Sequence, residues 1–385
     1  MTHSARPSHT EHPVALGSFR SWLRLLRDRP RADRAYIPRL SFVLFTTLLA
    51  SPLRLWERIR YGRAIGRTAI HPSPVFIIGH WRSGTTHLQN LLCQDKNFGT
   101  LSTFQAMAPG FCIVGDKRIK PVLAKLARKR YPTRLIDNIP LAFDAPQEDE
   151  FAIAGLSPLS FLHTFSFPRQ ASDLFGKAVL FHKLPEIARR GWCDMYLRLL
   201  RKITWIRGGR RLVIKNCAHS ARIQTLLELF PDAKFIHIHR NPYEVFVSTM
   251  HMHTTVLPRS QLQDIALDQI EANVLGFYSR LMEQFLADKP LIPERNLIEI
   301  RYEDLERAPL AQLEGIYEAL GLPGFSDAEP DFCAYVESIS DYRKNAYTLN
   351  EDIVAKVNEH WHMTFKEWGY DRIASSPQVE VNTGG

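Results

Sequence analysis

Short apolar runs recur along the chain from residue 74 onwards, each bounded by turn-forming or charged residues. Runs of this length and composition predict buried β-strands. The stretches between them are long enough to hold helices, which parallel strands require as crossovers. The pattern therefore predicts an α/β fold, a three-layer α/β/α arrangement around a central, mostly parallel sheet. The predicted strands are Val75–Gly79, Arg211–Lys215, Lys234–His239 and Asn296–Arg301.

Two stretches beside these strands have helical patterns. One runs from about Thr85 to Cys93, directly after the first predicted strand, and the other from Ser220 to Phe230. The stretch 105–200 is less regular. We therefore expect one α/β domain over residues 71–375, preceded by an N-terminal extension at 1–70 and followed by a short tail at 376–385.

The first 70 residues differ in charge from the rest of the chain. They carry thirteen Arg and no Lys against four acids, so this region alone accounts for the formal net charge of +9. Within it, Leu40–Leu53 is an apolar run of fourteen residues, short of the roughly 20 that a membrane-crossing helix needs. Two interpretations stay open: an in-plane helix on an anionic membrane surface, or a helix packed on the main domain with solvated arginines.

Composition also restricts the compartment and the partners. The five cysteines lack C-x-x-C spacing, and no apolar run directly follows a short basic start. These features predict a cytoplasmic protein without a disulfide framework or a structural zinc site. Under the first interpretation of the extension, it would bind peripherally to the inner face of the membrane. No nucleic-acid-binding module is recognisable, so we expect no nucleic-acid partner.

The stretch GHWRSGTT at 79–86 follows the first predicted strand and opens a helix. Such Gly-bounded turns bind phosphate or similar oxyanions, because backbone N–H groups and the helix dipole point at the ligand. A nucleoside triphosphatase would have a Lys after the second Gly and an Asp at a neighbouring strand end for Mg²⁺. Here Thr85 replaces the Lys, and His239 and Arg240 end the neighbouring strand. The loop therefore predicts an anionic ligand bound without a metal ion.

The loop HWRSGTTHL, with the later segments RLVIKNCAHS and FIHIHRNPYEVFVST, resembles sulfotransferases that use 3′-phosphoadenosine 5′-phosphosulfate (PAPS). In that family an Arg is followed by a Ser after seven intervening residues, as Arg240 and Ser248 are here. The segments DAPQEDE at 144–150 and RYEDL at 301–305 also match, and the resemblance covers roughly residues 74–372. It implies transfer of a sulfuryl group from PAPS to a hydroxyl or amine of a carbohydrate, lipid or other metabolite.

The resemblance also implies how the donor binds. The loop holds the 5′-phosphosulfate, and Arg240 with Ser248 binds the 3′-phosphate. The family's C-terminal R-K-G loop is matched only loosely, by Arg343 and Lys344. The soluble branch has Lys at the position of Arg82 and Trp at the position of His87. The loop residues implied as donor ligands are Arg82, Ser83, Gly84, Thr85, Thr86 and His87.

Catalysis needs a cation beside the transferring group and a general base for the acceptor. Lys215 ends a predicted strand, and open parallel sheets bind ligands beyond their strand ends, so we expect it at the same edge as Arg82. One candidate base is His219, four residues after Lys215, because imidazole titrates near neutrality. Glu148 and Glu150 are the others, because the carbohydrate branch of the family uses a Glu. A different base stays open.

The acceptor and two other function classes stay open at this point. The irregular stretch 105–200 is expected to set acceptor specificity, and RYEDL to be structural. A P-loop kinase or nucleotide hydrolase would bind ATP or GTP with Mg²⁺, and a non-catalytic nucleotide-binding module would bind without turnover. Five phenylalanines favour an acceptor with an apolar part: Phe143, Phe151, Phe161, Phe165 and Phe167.

Overall fold

The computed structural model describes residues 10–27, 31–130, 142–340 and 348–374. Within them, five strands form one sheet: β1 Val75–Ile78, β2 Phe98–Gly99, β3 Arg211–Lys215, β4 Lys234–His239 and β5 Leu297–Arg301. Every pairing is parallel, and the spatial order is β2-β3-β1-β4-β5.

The four predicted strands are present, each within one residue of its predicted limits. β2 was missed because two residues are too few to form a hydrophobic pattern. β1 is buried along its whole length, since it lies in the middle of the sheet with both faces covered. The predicted α/β fold with a mostly parallel sheet is confirmed.

Helices fill the connections, and nineteen α-helices lie in the described residues. The predicted helix at 220–230 starts late, because Cys217–Ala221 first forms a 3-10 turn capped by the side chain of Asn216. The helices are α1 Phe19–Arg27, α2 Ile37–Leu49, α3 Ser51–Arg67, α4 Thr85–Leu92, α5 Thr103–Met107, α6 Cys112–Gly115, α7 Ile119–Arg130, α8 Glu150–Leu156, α9 His163–Ser166, α10 Ala171–Ala178, α11 Glu186–Ile206, α12 Ile223–Leu229, α13 Pro242–Ser260, α14 Leu267–Asp288, α15 Tyr302–Arg307, α16 Pro309–Leu320, α17 Phe325–Ser338, α18 Glu351–His360 and α19 His362–Trp368.

The two faces of the sheet bury different sets of side chains, because neighbouring residues of a strand point to opposite faces. Phe76 and Ile78 of β1 pack with residues of α8, α11 and α12. Val75 and Ile77 pack with residues of α4, α16 and α17. The three predicted layers are therefore present, and the loop after β1 leaves the sheet between them.

The N-terminal helices pack on the rest of the protein through one face. Arg39 of α2 is fully buried and donates to the backbone carbonyls of Pro258 (2.9 Å) and Gln261 (2.7 Å). Glu57 of α3 is also buried and accepts from Lys202 (2.5 Å) and from the backbone N–H of Ile113 (2.7 Å). Packing on the domain, one of the two interpretations of this region, is thus present, while the domain boundary at residue 70 stays a prediction. By length and composition alone, the helical segment Arg34–Arg67 could also cross a membrane.

Candidate active site

The loop after β1 contains two glycines at positions where the backbone conformation and the neighbouring atoms leave no room for a side chain. Gly79 has φ 138°, and a Cβ there would lie 2.3 Å from the carbonyl oxygen of Ile238. Gly84 has φ 94°, and a Cβ there would lie 2.2 Å from the ring of Tyr302. Both positions therefore require glycine. Arg82 adopts φ 72°, which a non-glycine residue takes up only at a cost.

Helix α4 begins directly after Gly84, so the N–H groups of its first turn face the loop without carbonyl partners from a preceding turn. Ser83 and Thr85 are buried, and the Thr85 hydroxyl lies 3.6 Å from the sulfur of Cys217. Thr86 and His87 are half-buried. Burial lowers the pKa of His87, so this side chain is neutral at pH 7. The loop thus presents amides and hydroxyls, with Arg82 as its own cation.

Arg82, Ser248 and Arg240 form a group beside the loop that we call the cationic cradle. The Nε of Arg82 donates to the Ser248 hydroxyl (2.9 Å), and Arg240 donates to the carbonyl oxygen of Arg82 (3.3 Å). Arg240 also pairs with Glu244 of α13 and stacks over the Tyr302 ring, 4.4 Å from its centre. Its buried Nε has no hydrogen-bond partner among the described residues. A buried donor in this state fits an anionic ligand such as a phosphate.

The sequence spacing of Arg240 and Ser248 has a simple structural cause. β4 ends at His239, and α13 starts at Pro242, with the Asn241 side chain accepting from the N–H of Tyr243 (3.0 Å). A helix that starts this close to the strand end runs back past the loop, and Ser248 lies about two turns along it. The two residues therefore meet at Arg82.

Lys215 and Glu148 form a buried ion pair at the end of β3. The Nζ of Lys215 lies 2.5 Å from Oε2 of Glu148. The other carboxylate oxygen of Glu148 accepts from the N–H of Cys217 (3.3 Å), the residue that also contacts Thr85. Lys215 is aligned with Ile77, two residues before the loop, so it points to the same sheet face as that residue. The pair therefore borders the loop at the carboxyl edge of the sheet.

Glu150 has a different environment from Glu148. Its carboxylate accepts from Arg222 (3.0 Å), Asn216 (2.8 Å) and Ser160 (2.7 Å), and also from the N–H of Phe161. Burial alone would raise the pKa of Glu150, but the charge of Arg222 and these hydrogen bonds lower it to about 2. Both carboxylate oxygens are thus engaged by protein donors, an environment that favours a structural role for Glu150, while its predicted role as a base stays untested.

His219 is also part of this buried network. Its Nε2 lies 2.8 Å from the Tyr196 hydroxyl, and its Nδ1 lies 3.3 Å from Arg222. The ring packs edge-on against Phe76, which points to the sheet face opposite to that of Lys215. Both ring nitrogens of His219 already have hydrogen-bond partners, and the ring lies on the sheet face opposite to that of Lys215. We therefore do not retain His219 as the base in the proposal below.

Several residues of the site could not be found from the sequence. Asn216 donates to Asp149 (2.6 Å) as well as to Glu150, and Tyr196 donates to Asp149 (2.8 Å). Asn216 and Asp149 lie in the segments RLVIKNCAHS and DAPQEDE, and Tyr196 lies in no motif, but only the tertiary contacts identify the partners of all three. Glu303, in the RYEDL segment, accepts from the N–H of Asn241 (3.0 Å), which fits the structural role predicted for that segment. Arg343 and Lys344 lie outside the described residues, and their predicted donor contacts stay predictions.

The crowded phenylalanines of the irregular stretch do not line an open site. Phe151 alone is half-buried. The other four are core residues, exposed by at most 7% of their surface, so their crowding reflects packing and does not indicate an apolar acceptor. They are Phe143, Phe161, Phe165 and Phe167.

Comparison with known proteins agrees with this geometry. The model of the sulfotransferase family matches residues 74–327. The omega-hydroxy-beta-dihydromenaquinone-9 sulfotransferase Stf3 of Mycobacterium bovis is 33% identical over 372 residues, which is 95% of this chain and 93% of that protein.

Two solved structures have the same fold. Sulfotransferase STF1 from Mycobacterium tuberculosis superimposes with a TM-score of 0.68 at 20% identity, covering 89% of this chain and 92% of that one. Sulfotransferase STF9 from Mycobacterium avium superimposes with a TM-score of 0.70 at 18% identity, covering 91% of this chain and 89% of that one.

Proposed function

The chain belongs to the sulfotransferase family and is an enzyme of that class, and from this premise we propose that it transfers the sulfuryl group of PAPS to the hydroxyl group of a lipid. The observation that carries the proposal is the cationic cradle. Its half-buried guanidinium groups, and the buried Nε of Arg240 in particular, offer donors for an anion at the place where the sequence motif expects the 3′-phosphate of the donor.

The loop takes the 5′ end of the donor in this proposal. The N–H groups of the first turn of α4 and the hydroxyls of Thr85 and Thr86 bind the phosphosulfate oxygens, and Arg82 stabilises the charge that develops on the 5′-phosphate. A guanidinium group acts by its charge and is a poor proton donor, so Arg82 has an electrostatic role in this proposal. PAPS supplies the activated sulfuryl group, and the protein supplies orientation and electrostatic stabilisation.

Glu148 is the general base in this proposal. Of the glutamates in the acidic segment 144–150, Glu148 is the one whose carboxylate borders the loop. The carboxylate of Glu150 is hydrogen-bonded to Arg222 and to its other partners. The hydrogen bond from Lys215 fixes the carboxylate, and its ammonium group supplies a positive charge that stabilises the transferring sulfuryl group and the departing phosphate. Glu148 accepts the proton of the acceptor hydroxyl as that oxygen attacks sulfur.

The lipid nature of the acceptor rests on the relative and not on the phenylalanines of the irregular stretch. The relative Stf3 is named as a sulfotransferase of a hydroxylated menaquinone, and its similarity covers nearly the whole of both chains. The contact of the N-terminal region with an anionic membrane belongs to the same proposal, because a lipid acceptor resides in a membrane. The cytoplasmic location stays a prediction.

Label transfer tests the proposal directly. The enzyme is incubated with PAPS labelled in the sulfuryl group and with a long-chain isoprenoid alcohol, a sugar or an aromatic amine. We expect labelled lipid sulfate from the alcohol and little product from the other acceptors. Transfer only to the sugar or amine would contradict the lipid acceptor, and transfer of a phosphoryl group from labelled ATP with Mg²⁺ would contradict the donor.

A further inference from the structure

The exposed face of the N-terminal helices is apolar over a long distance. α2 and α3 are separated by one helical residue, Ala50, and their outward side chains repeat every three or four positions. Phe45, Leu49, Trp56 and Ile59 are each more than half exposed. From residue 37 to residue 59 this stripe is ~33 Å long at the rise of an α-helix. A stripe of this length on a monomer marks an interaction surface.

A second helix beside the same apolar cluster also exposes apolar residues. Val122 and Leu126 of α7 are 58% and 61% exposed, one turn apart on the outer face of that helix. On its inner face, Leu123 packs in the same apolar cluster as Leu53 of α3 and Phe143. The two helices therefore cover one cluster and expose their apolar residues on its outer side. We call the exposed apolar faces of α2, α3 and α7 the apolar platform.

The charges that α2, α3 and α7 themselves expose are of one sign, and the acids beside α7, Asp116 and Asp144, pair with its Lys120. Glu57 is the only acidic residue between positions 34 and 67 of the sequence, and it is buried. The charged side chains that α3 exposes are arginines, among them Arg58, Arg60 and Arg63, and α7 exposes Lys125 beside its apolar pair. An apolar stripe with Trp and Phe, bordered by arginine and lysine, has the chemistry of a helix that lies in the surface of an anionic bilayer.

The opposite face of the same helices excludes the alternative of a membrane span. Arg39 and Glu57 are buried against the protein and are hydrogen-bonded to four backbone groups between them. Moving this segment into the hydrocarbon would break those contacts and carry two charges into lipid. The platform can meet a bilayer only with its outer face.

We propose that the apolar platform is a docking surface for an anionic lipid bilayer, with α2, α3 and α7 lying in the plane of the membrane. The inference deepens the proposed function and rests on it for the acceptor. Phe143, in the cluster under the platform, precedes Glu148 by five residues, which span at most ~18 Å of extended chain. In this proposal a hydroxylated lipid reaches Glu148 from the bilayer on which the platform lies.

The test is co-sedimentation of the full chain with phosphatidylcholine vesicles, with and without phosphatidylglycerol. Two double variants place charge on the platform: Trp56→Glu with Ile59→Glu on α3, and Val122→Glu with Leu126→Glu on α7. The matched control is Ile187→Glu, which charges an 83% exposed apolar residue outside the platform.

We expect the wild type and the control to bind the anionic vesicles, more weakly as salt increases, and each double variant to bind about tenfold or more weakly. Equal binding by the α3 variant, or no binding by the wild type, would overturn the proposal. A wild-type dimer that dissociates in the α3 variant would also overturn the proposal. In that case the platform would bind a second copy of the chain and not a bilayer.

Binding of adenosine 3′,5′-bisphosphate, the spent donor, is measured on the same samples. Unchanged affinity in the variants shows that they are folded, so weaker vesicle binding then supports the platform. If the wild type binds the bisphosphate but not the vesicles, the docking surface fails while the proposed function stands. If it binds the vesicles but not the bisphosphate, the proposed function fails and the docking surface stands.

Discussion

In the proposed mechanism, the donor end and the proton-transfer end of the active site are built in different ways. The donor end comes from two short segments, a loop between β1 and α4 and the junction of β4 with α13, and each carries its ligands at fixed local spacing. The proton-transfer end combines Glu148 with Lys215 from a distant strand, while Glu150, two residues away, is bonded to Arg222 instead. The proposal therefore assigns opposite roles to Glu148 and Glu150 from their tertiary contacts alone. The predictions below test this division.

The largest expected effect is that of Glu148→Gln. Removing the base should lower kcat by roughly 10²- to 10⁴-fold, the range for general base catalysis. Affinity for adenosine 3′,5′-bisphosphate should change little, because Glu148 lies outside the cationic cradle. Steady-state transfer assays and calorimetric titration measure the two effects. As a control, Glu186→Gln changes an exposed acid of α11 and should alter neither. A Glu148→Gln enzyme with near-normal kcat would refute the assignment.

Glu150→Gln should act on stability and not on chemistry. The substitution leaves the buried Arg222 without its charged partner, which typically costs about 3–5 kcal/mol in the free energy of unfolding. Urea denaturation measures this loss, and we expect the folded fraction to keep its affinity for the bisphosphate. If Glu150→Gln instead abolishes turnover in a protein of normal stability, then the roles of the two glutamates are reversed.

The pH dependence of stability gives an independent check on Glu150. Its pKa falls from 4.5 to about 2 on folding, so its contribution is fully present above about pH 4.5 and is lost as the pH falls towards 2. The difference in unfolding free energy between the wild type and Glu150→Gln should therefore shrink with acidification over this window. A difference that stays constant down to the lowest accessible pH would contradict the assigned pKa.

The smallest expected effect is that of Ser248→Ala. The variant removes the hydroxyl that accepts from Arg82, a net contribution of about 0.5–1.5 kcal/mol, so the Kd for the bisphosphate should rise about tenfold at most. Ser279→Ala, on α14, removes a hydroxyl bonded only to helix carbonyls and serves as the control. No change in Kd for Ser248→Ala would mean that the serine does not shape the cationic cradle.

The difference between local and tertiary contacts also explains which parts of the fold and site could be predicted from the sequence. The strands, the loop and the pair Arg240 and Ser248 could be predicted, because each depends on residues close together in the chain. The choice between Glu148 and Glu150 could not, since it depends on Lys215 and Arg222, which only folding brings near. His219 was a reasonable candidate base by residue type, but its sheet face is set by the 3-10 turn after β3.

The two interpretations of the N-terminal region also depended on tertiary contacts. The sequence showed an apolar run at 40–53 and left two interpretations open. In the structure one face of that region packs on the domain through Arg39 and Glu57, and the other face is exposed. Packing and membrane contact are therefore compatible, because they use opposite sides of the same helices.

The most direct test of the central claim compares two ligands, adenosine 3′,5′-bisphosphate and adenosine 5′-monophosphate, which differ only in the 3′-phosphate. Calorimetric titration of the wild type should give at least about tenfold tighter binding of the bisphosphate, since hydrogen bonds to charged groups contribute about 1.5–3 kcal/mol. Arg240→Ala should bring the two affinities close together, while Arg190→Ala, a change at an exposed arginine of α11, should leave the preference intact. A preference for the bisphosphate that survives Arg240→Ala would contradict the account, because the 3′-phosphate would then bind outside the cationic cradle.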